Sequence, residues 1–191
     1  MMRLIFFLIV LLPLTAKAGW VLDGSRSEIS FISIKNLSIA ETHEFRNLSG
    51  TIDDEGNLAI KIPLSSVETK IPIRNERMKK MLFETSKFAN ALVTSKIDLS
   101  FSKGASVGEI IQRKENFSID LHGFQQENEA NVAVTLEKDG VVRVDSVRPV
   151  IVNASSHRLS AGIDALRVVA KLSSIAESVP VSFNLFFRET K

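Results

Sequence analysis

The pattern of this chain predicts an all-β protein of about eight antiparallel strands closed into a barrel, with one or two short helices over its ends. Three observations carry that expectation. Apolar residues recur at every second position through six separate runs, turn-forming residues divide those runs, and only two segments depart from the two-residue period.

The first eighteen residues stand apart from this rhythm. Arg3 gives a positive start, Leu4 to Leu14 is apolar, and Ala16-Lys17-Ala18 has the small-x-small form of a cleavage site. The apolar run is 11 residues long, whereas a helix needs about 20 to cross a bilayer. A signal peptide over 1–18 is therefore expected, with cleavage after Ala18, export to the periplasm and one domain over 19–191.

The strands follow in order. Ile29-Ser30-Phe31-Ile32-Ser33-Ile34 alternates with serine on the outer face, and Leu58, Ile60, Ile62 and Leu64 alternate with Ala59, Lys61 and Pro63. Val93, Ser95, Ile97, Leu99 and Phe101 share one side. Phe117, Ile119 and Leu121 repeat the pattern, as do Val132, Val134 and Leu136, and Val179, Val181, Phe183, Leu185 and Phe187 form the longest face. Asp53-Asp54-Glu55-Gly56-Asn57 reads as a hairpin connection, and Asp139-Gly140 as a two-residue hairpin turn.

Two segments read as helical. Arg74 to Thr85 is rich in helix formers and places Met78, Met81, Leu82 and Phe83 near one side. Gly162 to Ile175 keeps a three-residue step through Ile163, Leu166, Val169 and Leu172.

Composition narrows the function. The formal charge of +2 comes from Arg3 and Lys17; without 1–18 the chain has 22 basic and 22 acidic residues, so a basic footprint for nucleic acid is lacking. There are no cysteines, which removes disulfides, thiolate zinc sites and cysteine nucleophiles. His43, His122 and His157 lie far apart with no metal-ligand spacing, and Ser155-Ser156-His157 lacks a nucleophile elbow. No catalytic residue, metal or cofactor is expected. A barrel of this size is either filled by its side chains or holds one small ligand, and the apolar faces fit both alternatives.

Trp20-Val21-Leu22-Asp23 with Ser27 and Ile29-Ser30-Phe31 resembles the opening of the YceI-like family of periplasmic lipid-binding proteins, and Phe45 with Leu48-Ser49-Gly50-Thr51-Ile52 resembles its second strand. Ile62-Pro63-Leu64-Ser65-Ser66-Val67-Glu68-Thr69, then Ile73-Arg74-Asn75-Glu76-Arg77-Met78 and Leu82-Phe83-Glu84, resembles its strand, turn and helical segment. Phe117-Ser118-Ile119-Asp120-Leu121-His122-Gly123 stands where the family has a strand ending in glycine. The likeness runs from Trp20 to about Arg188, with two departures: Phe88 precedes Ala89 where the family often has proline, and the turn after Gly123 is polar through Gln125, Gln126, Glu127, Asn128 and Glu129.

The resemblance implies a lipocalin-like barrel over 19–191 that binds, transports or sequesters an apolar chain lipid without catalysis: a polyisoprenoid, a quinone-like lipid or a fatty acyl chain. The alternatives are an interaction protein with a filled core and a lipid-modifying enzyme. Phe31, Phe45, Phe101, Phe183 and Leu185 are the inward-facing candidates for the lipid, with Phe83 and Met81 closing one end and Arg74 either holding the helix through an ion pair or cap or meeting a polar head group. Partners would be the lipid, a transient inner-membrane contact and, for the oligomeric state, a homodimer.

Overall fold

The computed structural model describes residues 18–100 and 104–190. The signal-peptide expectation falls almost wholly on 1–17, outside the described residues, and so does Phe101.

Twelve strand segments make one closed sheet: β1 (Ala18–Leu22), β2 (Glu28–Lys35), β3 (Ile39–Phe45), β4 (Ser49–Asp53), β5 (Asn57–Pro63), β6 (Val67–Glu68), β7 (Asn90–Lys96), β8 (Ile110–Leu121), β9 (Phe124–Leu136), β10 (Val141–Ser146), β11 (Val150–Asn153) and β12 (Ser178–Glu189). All pairings are antiparallel, and β1 closes the ring by pairing with β4 on one side and β12 on the other. Several segments are halves of one bent strand. β2 and β1 pair in succession with β12, β3 pairs with β2 while β4 pairs with β1, and β11 and β10 pair in succession along β12. Counted this way, β1–β2, β3–β4, β5–β6, β7, β8, β9, β10–β11 and β12 form an eight-stranded up-and-down barrel. Pairing of β1 on both sides removes the sheet edge along that part of the ring.

The bends have local causes. Between β1 and β2 the Asp23 carboxylate accepts from the Ser25 amide at 3.1 Å and its hydroxyl at 2.6 Å, turning the chain. The bend between β3 and β4 sits against it: a Cβ on Gly24 would lie 2.2 Å from the Leu48 carbonyl oxygen, so only glycine lets the two corners meet.

The hairpins follow their turn residues. Gly56 adopts φ +85°, with Asp53 accepting from the Glu55 and Asn57 amides. His122 and Gly123, both at positive φ, join β8 to β9 in two residues. The polar stretch from Gln125 to Glu129 is consequently part of β9, not of the turn as its composition suggested. Asp139 and Gly140 also have positive φ, but the connection between β9 and β10 takes four residues, Glu137–Gly140, with a turn of 3-10 helix over Lys138–Gly140.

Among the described residues, two helices cover one and the same end of the barrel. α1 (Pro72–Arg77) starts on proline, which suits the first helical position. It continues as a π turn (Met78–Leu82), where Phe83 donates its amide to the Met78 carbonyl at 2.9 Å. The longer step replaces the 3.6-residue period expected over Arg74 to Thr85, and it leaves Met78 and Phe83 both buried. α2 (Ser160–Val169) lies across this turn, with Gly162 so close to the Met81 carbonyl and Leu82 Cα that a Cβ would meet them at 2.7 and 2.8 Å. Leu64 under the helices, and Phe187 with Val142 at the opposite end, are almost completely buried.

Candidate functional site

Period-two alternation turns one face of every strand inward. On β9 the inward residues are Ala130, Val132 and Val134, and Ala91 on β7 and Ala154 after β11 are small as well. These side chains are too short to meet across the axis, and a cavity of about 250 Å³ remains. A single water needs only about 10–15 Å³ measured in this way, so the interior is open space rather than a packing defect. The filled core weighed as an alternative is not what these residues build.

The cavity runs from Leu82, Phe83, Leu159 and Ile163 beneath the helices, past Phe31, Phe45, Val93 and Phe183, to Ile97, Arg113 and Glu115 near the far end. Only three lining residues have polar side chains: Ser95, Arg113 and Glu115. The Ser95 hydroxyl is already spent on the Asn116 carbonyl at 2.6 Å. Such a surface attracts apolar chains and offers little to a polar molecule.

The candidate residues fall into three groups. Phe31, Phe45, Phe83, Phe183 and Leu185 line the cavity, and the rings of Phe31, Phe45 and Phe83 form a chain with centroid separations of 5.3 and 5.8 Å. Met81 sits on the π turn outside the lining, its carbonyl pressed against α2. Arg74 is also off the cavity, with Nη1 donating to Glu41 at 2.6 Å and Nη2 to the Thr69 carbonyl at 2.7 Å. It holds α1 to the β2–β3 hairpin.

Arg113 and Glu115 were not among the candidates. Carrying the alternation of Phe117, Ile119 and Leu121 two steps back along β8 reaches them, and that extension was the available signal.

Beside Arg74 lies a buried polar cluster. Glu41 also accepts from Lys35 at 2.8 Å; that bond first, and the Arg74 guanidinium after it, hold its carboxyl below the usual range. His43, 3% exposed, has Nε2 2.8 Å from Ser33 Oγ and packs edge-on against Phe31. Among the described residues its Nδ1 has no hydrogen-bond partner, so none of their carboxylates orients the ring as a serine–histidine hydrolase requires. Burial, with help from Arg74, pushes the His43 pKa down to about 4.

That shift predicts a pH effect. Unfolded His43 takes up a proton near its ordinary pKa of 6.5, whereas the folded ring stays neutral to about 4. Stability is thus complete above pH 6.5 and falls as pH drops towards 4, by up to about 3 kcal/mol from this residue. The groups around it are Lys35 on β2, Glu41 on β3 and Arg74 on α1. Urea melts at pH 6.5 and 5 should show the loss, and His43→Leu should flatten it; an unchanged slope would contradict the assignment.

The other histidines are structural. His122 stacks on Phe88 at 4.2 Å and lies 3.2 Å from Glu84, and His157 donates from Nδ1 to the Phe124 carbonyl at 2.8 Å. Among the described residues, no group of three or more histidine, aspartate or glutamate side chains gathers to hold a metal.

Comparison with known proteins places this architecture. The YceI-like domain model matches residues 20–187. No curated protein sequence matches the chain. Among solved structures, a polyisoprenoid binding domain from Saccharophagus degradans, implicated in plant cell wall breakdown, is 36% identical with a TM-score of 0.88, the match covering 91% of this chain and all of that one. BcnA of Burkholderia cenocepacia is 18% identical with a TM-score of 0.60, over 86% of this chain and 98% of its own. The Campylobacter jejuni YceI protein is 18% identical with a TM-score of 0.51, over 83% of this chain and 90% of its own. The last two share the fold. With a family model spanning nearly all of the barrel and a relative that superposes on it throughout, the chain belongs to the YceI-like family.

Proposed function

We propose that this protein is a non-catalytic carrier that holds an apolar chain lipid inside its barrel, and that it works in the periplasm after removal of residues 1–18. The observation that carries the reading is the cavity of about 250 Å³, lined almost wholly by aliphatic and phenylalanine side chains. The relative from Saccharophagus degradans, described as a polyisoprenoid binding domain, supports the same chemistry at 36% identity. Each buried CH₂ contributes about 0.8 kcal/mol, so one five-carbon unit contributes roughly 3–4 kcal/mol before ordering costs. A few units in a preformed cavity therefore bind firmly without a charged anchor. Polyisoprenoid, quinone-like and fatty acyl chains all satisfy this requirement, and their delivery entails transient contact with the inner membrane.

The absence of an orienting acid on His43 favours a carrier over a lipid-modifying enzyme. Native mass spectrometry of protein purified from a Gram-negative periplasm tests the proposal. The expected spectrum shows protein carrying a mass that organic extraction removes. Repeated preparations with no bound mass, and no uptake of added geranylgeraniol, would overturn it.

A further inference from the structure

The cavity is apolar except at one place, and that place carries two opposite charges. Arg113 and Glu115 lie two residues apart on β8, so both project from its inner face, and Arg113 Nε donates to the Glu115 carboxylate. Both Arg113 Nη atoms lie 3.3 Å from the Asp98 carbonyl, which anchors the guanidinium against the loop after β7. The side chains are only 20% and 17% exposed. Outward-facing Lys114 pairs with Glu129 on β9 at 2.9 Å and takes no part in the lining.

We propose that this pair is the head-group discriminator of the barrel, selecting chain lipids with an uncharged head that donates a hydrogen bond, such as an isoprenoid alcohol, over those ending in carboxylate or diphosphate. The inference rests on the lipid-carrier reading and specifies its ligand class. Leu121 and Arg113 are eight positions apart on β8, which corresponds to about 27 Å along the strand. A chain whose tail lies under the helices therefore presents its head to the pair.

An anionic head at that point has two courses. It faces the Glu115 carboxylate directly, or it takes the Arg113 Nη groups from the Asp98 carbonyl and sets a second negative charge beside Glu115 on one guanidinium; both bring like charges together in an apolar surrounding. Neither cost falls on a hydroxyl. A carboxylate has about four lone-pair sites, so Glu115 can accept a hydrogen bond from a hydroxyl while still bonded to Arg113.

The test holds the chain constant and varies the head: geranylgeraniol against geranylgeranyl diphosphate, titrated into delipidated full-length mature protein by calorimetry. The wild-type protein should bind the alcohol at least about tenfold more tightly, since like charges brought together cost several kcal/mol. Glu115→Gln should narrow that ratio and Arg113→Gln should widen it. Opposite movement is what a purely structural role would not produce, and circular dichroism reports whether each variant is folded. Equal or tighter binding of the diphosphate by the wild-type protein, or a ratio that shifts the same way or not at all in both variants, would overturn the inference while leaving the carrier reading intact. Binding of neither lipid by folded wild-type protein would remove the carrier reading, and this inference with it.

Discussion

Phe187→Ala is expected to cost about 3–5 kcal/mol of stability, and Phe183→Ala about half of that or less. Both residues lie on the inner face of β12, four positions apart. Phe187 is 2% exposed, pairs in register with Leu22 of β1 and Val142 of β10, and packs the end remote from the helices. Both rings border the cavity, but that of Phe187 is enclosed on nearly every other side, so its removal forfeits contacts among residues that cannot move inward. Phe183 is only half-buried, so its truncation enlarges existing space and forfeits fewer contacts. Denaturant melts of the two variants give the comparison directly. Equal and large losses at both positions would mean that the barrel interior is packed in solution.

Filling the cavity should have the opposite profile. Ala130→Trp places an indole on the inner face of β9, beside Val132 and facing the cavity. In a close-packed core such an insertion costs about 1–3 kcal/mol or more. Here the ring enters open space, so the loss should stay below about 1.5 kcal/mol. Chain-lipid affinity should fall by about a hundredfold or more, because three or so methylenes' worth of burial is displaced. A folded Ala130→Trp protein that still binds geranylgeraniol as the wild type does would place the lipid elsewhere.

Much of the barrel was readable from local pattern. Alternation from Val179 to Phe187 predicted β12, and Gly56 and His122-Gly123 stand where the chain reverses. The bends escaped notice because they are set by contacts between distant segments: Gly24 matters only once Leu48 lies against it. The π turn was hidden for a similar reason, since α2 packing over Met81 and Leu82 accompanies a register that intrinsic propensity does not favour.

The cavity illustrates a further limit. Ala91, Ala130 and Ala154 are unremarkable in sequence, and the volume they leave appears only when eight strands close around one axis. By position Arg74 was open to a structural ion pair or to a head group, and Glu41, 33 residues away, takes it. Arg113 and Glu115 were overlooked because the apolar alternation on β8 stops at Phe117, although the inward face continues.

Function as a carrier requires a chain molecule to occupy the axis of the barrel. A crystal structure of the protein loaded with geranylgeraniol tests this most directly. Continuous density should run from beneath Phe83 and Ile163, past Ala130 and Phe183, to the Arg113–Glu115 pair. Density on the outer surface, or an axis occupied by the protein's own side chains, would contradict it.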